Sequence, residues 1–172
     1  MTDGCSFTPP DIVIALVEPQ IPSNTGNITR LCACTGKPLY LIGQLGFRLD
    51  DKLLDRAAMD YKEMVEPIHL WSFQELLDKY PEHTPFFLSS KAKQSHFEVS
   101  YPEKTILVFG SETKGLPPSF VQSNLQQAVR IPMLAGVRSL NLSNAVAIVL
   151  YEAIRQHQLS DWCYELTSRS FE

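Results

Sequence analysis

The sequence predicts an α/β protein, a mostly parallel sheet with helices on both faces. Short apolar runs rich in β-branched residues alternate along the chain with helix-patterned segments, the order of successive strand–helix units. The first run, Asp11–Val17, is apolar at every position after Asp11, and a strand apolar on both pleats needs cover on both sides. The length, 172 residues, is that of one domain, and 44% hydrophobic against 20% charged residues leaves enough apolar surface for a buried core.

Beyond the first strand, Ile28, Leu31, Cys32 and Thr35 share one helical face, and Gly36 with Pro38 stops that helix. Asn24, Thr25 and Asn27 carry the side chains of helix caps, with Gly26 in the turn between them. Leu39–Ile42 is a second strand, and Asp50 is placed to cap a brief helix holding Leu53, Leu54, Ala57 and Ala58. Residues 65–70 make a weaker strand. Ser72 and Glu75 have capping-box spacing ahead of Leu76 and Leu77. Residues 85–89, 105–109 and 128–131 are further strands, and Pro117 and Pro118 suit the first turn of a short helix. A long helix covers about 143–157. Its stripe of Val146, Val149, Leu150, Ala153 and Ile154 is widened by Ala145, Ile148 and Tyr151, so it lies centrally or packs on a second chain. The polar tail, 158–172, offers Trp162, Tyr164 and Phe171 as anchors.

No repeat, linker or low-complexity block divides the chain, so 1–172 reads as one domain with its core at about 12–156. The longest apolar run, 145–151, falls far short of the roughly 20 residues of a membrane-spanning helix. The N-terminus has no basic region and apolar run of the secretory kind. A cytoplasmic protein without membrane contact is expected. Net charge −4 argues against tight, sequence-blind nucleic-acid binding but leaves room for a local basic surface. Cys5, Cys32, Cys34 and Cys163 lack zinc spacing, which favours reduced and mostly buried thiols. His69, His83, His96 and His157 are scattered, so no metal is expected.

Three segments after apolar strands combine glycine, proline and uncharged polar groups: residues 18–27, 110–117 and 133–144. Ligands of open α/β sheets gather beyond the carboxyl ends of strands, and three such loops suggest one composite site. Arg30 is either a solvated charge or a group aimed at a phosphate or a reacting hydroxyl. Gly110 and Gly115 either shape a turn or let the backbone approach a nucleoside. Ser139, Asn141, Ser143 and Asn144 exceed what one helix cap requires. Neither GxGxxG after the first strand nor GxxxxGK[ST] occurs, which argues against a nicotinamide dehydrogenase or a P-loop nucleotidase.

On these residues the chain resembles a known family. Ile21-Pro-Ser-Asn-Thr-Gly-Asn-Ile-Thr-Arg-Leu-Cys-Ala-Cys-Thr-Gly36, Leu107-Val-Phe-Gly-Ser-Glu-Thr-Lys-Gly-Leu-Pro117, and Ile131-Pro-Met133 with Arg138-Ser-Leu-Asn-Leu-Ser-Asn-Ala-Val-Ala-Ile-Val-Leu-Tyr-Glu152 are similar to the three motifs of SpoU (SPOUT) RNA 2′-O-methyltransferases. Leu45-Gly-Phe-Arg-Leu-Asp-Asp-Lys52 and Ala58-Met-Asp-Tyr61 resemble the small single-domain subfamily that acts on the wobble ribose of tRNA, the tRNA (cytidine(34)-2′-O)-methyltransferases. Ser23 and Cys34 depart from the common residues of the first motif.

The resemblance implies a C-terminal deep trefoil knot, a homodimer, and S-adenosyl-L-methionine as methyl donor, leaving as S-adenosyl-L-homocysteine, with no metal. It implies donor contacts at Leu88, Gly110, Ile131, Met133, Ser139 and Leu140. It gives Arg30 the central role at the target ribose and phosphate, Asn24 and Glu112 roles in shaping the first and second loops, and Ser139 and Asn141 places near donor and hydroxyl. Arg138 becomes an RNA-phosphate contact. No histidine falls in the three loops, so a histidine base is unsupported. The implied partner is the tRNA anticodon loop. Alternatives are the same reaction at another RNA site, or a non-catalytic RNA-binding module on this fold.

Overall fold

The computed structural model describes residues 10–59, 61 and 64–157. Cys5, Cys163, Trp162, Tyr164 and Phe171 lie outside these described residues. The strands are β1 (Asp11–Val17), β2 (Leu39–Ile42), β3 (Ile68–Leu70), β4 (Thr84–Leu88), β5 (Gln94–Ser95), β6 (Lys104–Phe109) and β7 (Ala128–Arg130). They form one sheet in the order β3-β2-β1-β6-β4-β7-β5, and every pairing between them is parallel. The helices are α1 (Pro22–Thr35), α2 (Lys52–Ala58), α3 (Phe73–Lys79), α4 (Pro118–Gln122) and α5 (Leu142–Gln156).

The two-sided burial expected of β1 is met by alternation. Ile12, Ile14 and Leu16 join a core with Ile28 and Cys32 of α1 and with Val146, Val149, Leu150, Ala153 and Ile154 of α5. Val13, Ala15 and Val17 face the opposite way, into a core shared with Leu76 of α3 and backed by Phe120 and Val121 of α4. Successive side chains of a strand point to opposite faces, so one heptapeptide anchors both layers. The helix α2 stacks on α1, where a Cβ on Gly26 would lie 2.5 Å from the Leu54 carbonyl oxygen and 2.6 Å from Ala57 Cβ. Only glycine permits that approach.

Several expectations are corrected. The helix α1 begins at Pro22, so Asn24, Thr25 and Gly26 lie inside it and do not form a capping turn; its N-cap is Ile21, which has no capping side chain. Pro22 has the fixed φ that suits a first helical position. Asp51, not Asp50, caps α2, accepting from the Leu53 amide at 2.8 Å, while Asp50 accepts from Arg48. The strand β5 escaped notice because two polar residues, Gln94 and Ser95, give no apolar pattern and pair only through β7. Of the described thiols only Cys32 is buried, and burial pushes it up to about 12; Cys34 is exposed. The capping box of Ser72 and Glu75 is present. The stripe of α5 is buried as expected, whereas Ile148 and Tyr151 stay exposed.

Candidate active site

After β1 the chain turns to β2 on one side, while β6 lies against β1 on the other. The carboxyl ends of β1 and β6 therefore flank a switch in strand order, the place where open α/β sheets form a crevice. The loops that leave these two strands meet there. Ile21 offers no capping side chain, and the carboxylate of Glu112, 91 residues away, binds the chain just ahead of α1. Glu112 Oε2 accepts from the Gln20 amide at 2.8 Å, and Oε1 accepts from the Ile21 amide at 3.2 Å. A negative charge among the free amides of a helix start also answers the helix dipole.

The third loop joins through asparagines. Asn24 is 5% exposed. Its Nδ2 donates to Glu112 Oε1 at 3.0 Å, and its Oδ1 accepts from Asn141 Nδ2 at 2.9 Å. Asn141 is the N-cap of α5, its Oδ1 accepting from the Ser143 amide at 2.9 Å, the Ser143 hydroxyl at 2.6 Å and the Asn144 amide at 3.4 Å. Thus one relay, Glu112–Asn24–Asn141, ties the starts of α1 and α5 to the loop after β6. Three of the predicted site residues are in direct contact across separations of 88 and 117 residues.

Beside this relay the strand ends form a row. Leu88 of β4 is in register with Phe109 of β6 on one side and Val129 of β7 on the other. Leu88, Gly110 and Ile131 therefore lie along one edge of the sheet, and half-buried Leu88 and Ile131 pack on the core. Gly110 has a reason other than ligand approach. A Cβ there would stand 2.0 Å from Gly115 C and from Leu116 N, because the loop folds back on itself with the Gly115 amide donating to Ser111 O at 2.8 Å. Met133 is half-buried, whereas Arg138, Ser139 and Leu140 are exposed in an irregular segment that also exposes Leu134 and Val137.

Arg30 lies on α1 six residues past Asn24, about 9 Å further along the axis. It is exposed, with its Nη1 donating to Met59 Sδ at 3.4 Å and its guanidinium 5.3 Å from the Tyr61 ring centroid. Met59 closes α2 with φ +53, an unusual conformation for a side chain of this size. Site reading from sequence missed this cradle, as it missed the Gln20 and Ile21 amides. The signal for the cradle was present in Ala58-Met-Asp-Tyr61; that for the amides was not, since any residue supplies one.

Comparison with known proteins places this geometry. The SpoU rRNA methylase family model matches residues 11–151. A tRNA (cytidine(34)-2′-O)-methyltransferase of Yersinia pestis is 50% identical over 149 residues, spanning 83% of this chain and 92% of that protein. Its counterpart in Escherichia coli K12 is 46% identical over 144 residues, spanning 83% and 92%. A solved structure described as giving insight into 2-OH methylation of C/U34 on tRNA superposes with TM-score 0.81 at 38% identity, over 87% of this chain and 98% of that one. With a family match over most of its length and relatives this similar, the chain belongs to the SpoU methylase family.

Proposed function

We propose that this chain transfers the methyl group of S-adenosyl-L-methionine to the 2′-hydroxyl of the wobble nucleotide of tRNA, a cytidine or modified uridine at position 34. The observation that carries the reading is the Glu112–Asn24–Asn141 relay, which gathers the three motif loops at the crevice beside β1 and β6. The names of the relatives supply the substrate. We further propose the fold's finer feature, a deep trefoil knot. Residues 131–141 lead from β7 into α5, which packs back against α1 and β6. A homodimer working in the cytoplasm completes the proposal. No helix among the described residues is long and apolar enough to cross a membrane.

A nucleoside donor needs an apolar slot with backbone groups at its edges. Leu88 and Ile131 supply half-buried apolar walls, the tightly folded Gly110 loop brings main chain to the same edge, and Met133, Ser139 and Leu140 follow on. These residues fit. When bound, S-adenosyl-L-methionine supplies an electrophilic methyl on a sulfonium, so that a C–S bond breaks as a C–O bond forms.

The chain's own residues must then hold a ribose hydroxyl in line and let its proton leave. Arg30 has a planar guanidinium suited to ribose and phosphate oxygens, and Met59 and Tyr61 steady it. Arginine stays protonated, so Arg30 orients and polarises. The Glu112 carboxylate receives three donors already. Glu112, Asn24 and Asn141 are accordingly positioning residues, and Arg138 and Ser139 are the exposed contacts for RNA and donor.

Incubation with methyl-labelled donor and unmodified tRNA should place the label on the ribose of nucleotide 34, read by nuclease digestion and mass spectrometry. Arg30→Ala should lower transfer about 100-fold or more, in the range for a group acting in the transition state. Label on a base, or full transfer by the Arg30 variant, refutes the reading. The family model carries an rRNA description; label on ribosomal RNA alone would favour that second substrate.

A further inference from the structure

A concave surface lies outside the relay. It is an open groove of about 520 Å³ between residues 44–50 and the end of β3, lined by Leu45, Phe47, Arg48, His69 and Trp71 among others. Trp71 is 74% exposed, a large apolar ring left in water. Its ring lies 4.7 Å from that of His69, tilted by 59°, and His69 Nε2 is held 2.8 Å from the Gly43 carbonyl oxygen. Arg48 stands on the rim with one edge of its guanidinium, Nε and Nη2, donating to Asp50 at 2.8 and 2.9 Å. The pair is exposed to solvent and leaves the guanidinium plane open. An exposed indole ring, a second ring tilted against it and an exposed guanidinium plane suit stacking on the flat face of a base.

The groove is fastened to the site. The Gly46 amide donates to the Pro19 carbonyl at 2.9 Å. A Cβ on Gly46 would come within 2.6 Å of Gln20 Oε1 and 2.7 Å of Gln20 Cα, so this loop touches the residue whose amide donates to Glu112. The end of β3 is two strand positions from β1, about 10 Å at ordinary sheet spacing. A neighbouring nucleotide of a strand held at the crevice falls within that span.

We propose that this groove is a stacking subsite for an unpaired RNA base adjacent to the methylated nucleotide; the assignment deepens the functional reading above and rests on it. Unstacked loop bases are the usual targets of aromatic and guanidinium planes in RNA recognition.

The chain has two tryptophans, so full-length protein carrying Trp162→Phe reports Trp71 alone by fluorescence. An unmodified anticodon stem-loop RNA should quench that emission by about half or more. The same RNA with abasic nucleotides on both sides of position 34 should not. Trp71→Ala should raise the KM for the stem-loop about 10-fold, the loss expected for one base–aromatic stack, with kcat within about twofold; Trp71→Phe should recover most of the affinity. Transfer without quenching or a KM change overturns the stacking subsite alone. Quenching without transfer to any RNA overturns the reaction and keeps the stack. Quenching by S-adenosyl-L-methionine alone, or by raising protein concentration without RNA, assigns the groove to the donor or to a second copy and overturns the proposal.

Discussion

Asn24 shows how much one amide can decide. It donates to Glu112 and accepts from Asn141 while itself almost wholly buried. Glu112 is half-buried and Asn141 exposed, so both can turn to water, and Asn24→Ala should destabilise the fold by about 1 kcal/mol per hydrogen bond lost and reduce turnover by loosening the starts of α1 and α5. Asn24→Asp separates electrostatics from size, since it sets a second carboxylate against Glu112. Like charges this close raise one pKa strongly, so the aspartate variant should be weaker than the alanine variant at pH 7 and should recover relative to it near pH 4.5. Thermal melts of both variants at the two pH values check this; an aspartate variant as stable as wild type at pH 7 would exclude the donor role given to Asn24. Gly110 makes the complementary case. Its identity follows from the chain's own Gly115 and Leu116 backbone, so it serves the site through the shape of the loop.

The helix α5 carries its own dependence on acid. Arg155 Nε and Nη2 donate to the two oxygens of Glu152 at 2.8 and 2.9 Å, and Gln156 Nε2 adds a third bond at 2.9 Å. The Arg155 hydrogen bond, ahead of the others, holds the Glu152 carboxyl below its ordinary 4.5. A carboxylate with a lowered folded pKa contributes stability above 4.5, and that contribution is lost as pH falls through the lower folded value. His96 faces Glu152, and burial lowers its pKa from 6.5, so the unfolded chain takes up that proton first and stability already declines below 6.5. Glu152→Gln should therefore melt below wild type at pH 7, and the gap should close as pH falls below 4.5, as followed by circular dichroism. A constant difference across that range would remove the linkage. The elements themselves were legible in sequence wherever apolar periodicity set them, as in β1, β6 and α5. The start of α1 was misplaced because no side chain caps it, the amides just ahead of it are held by Glu112 from a loop distant in sequence, and its first turns bury polar Asn24 and Thr25. Motif residues pointed to three loops that the fold brings together; the contacts among them, and the Met59–Tyr61 cradle of Arg30, arise from folding and leave no periodic trace.

At the scale of the whole molecule, the sheet is covered on both faces by one chain, yet α5 is not used up. Its stripe from Val146 to Ile154 fills the core it shares with α1, while Ile148 and Tyr151, 39% and 44% exposed, continue the apolar surface around the helix. The sequence left two readings for so broad a face, a central helix or a second chain, and a single chain meets the first only along the stripe. The proposed homodimer takes up the remainder. Sedimentation equilibrium of wild type should then return about twice the 19.4 kDa of one chain. Ile148→Glu should sediment as a monomer, because a carboxylate placed in an apolar contact without a partner is strongly disfavoured. Ile148 contributes little to the single chain's core, so the variant should keep its circular dichroism spectrum, and a fall in transfer can be ascribed to assembly. Wild type that transfers methyl groups while sedimenting at 19.4 kDa would leave α5 with an exposed face of another purpose and would remove the second chain from the proposed function.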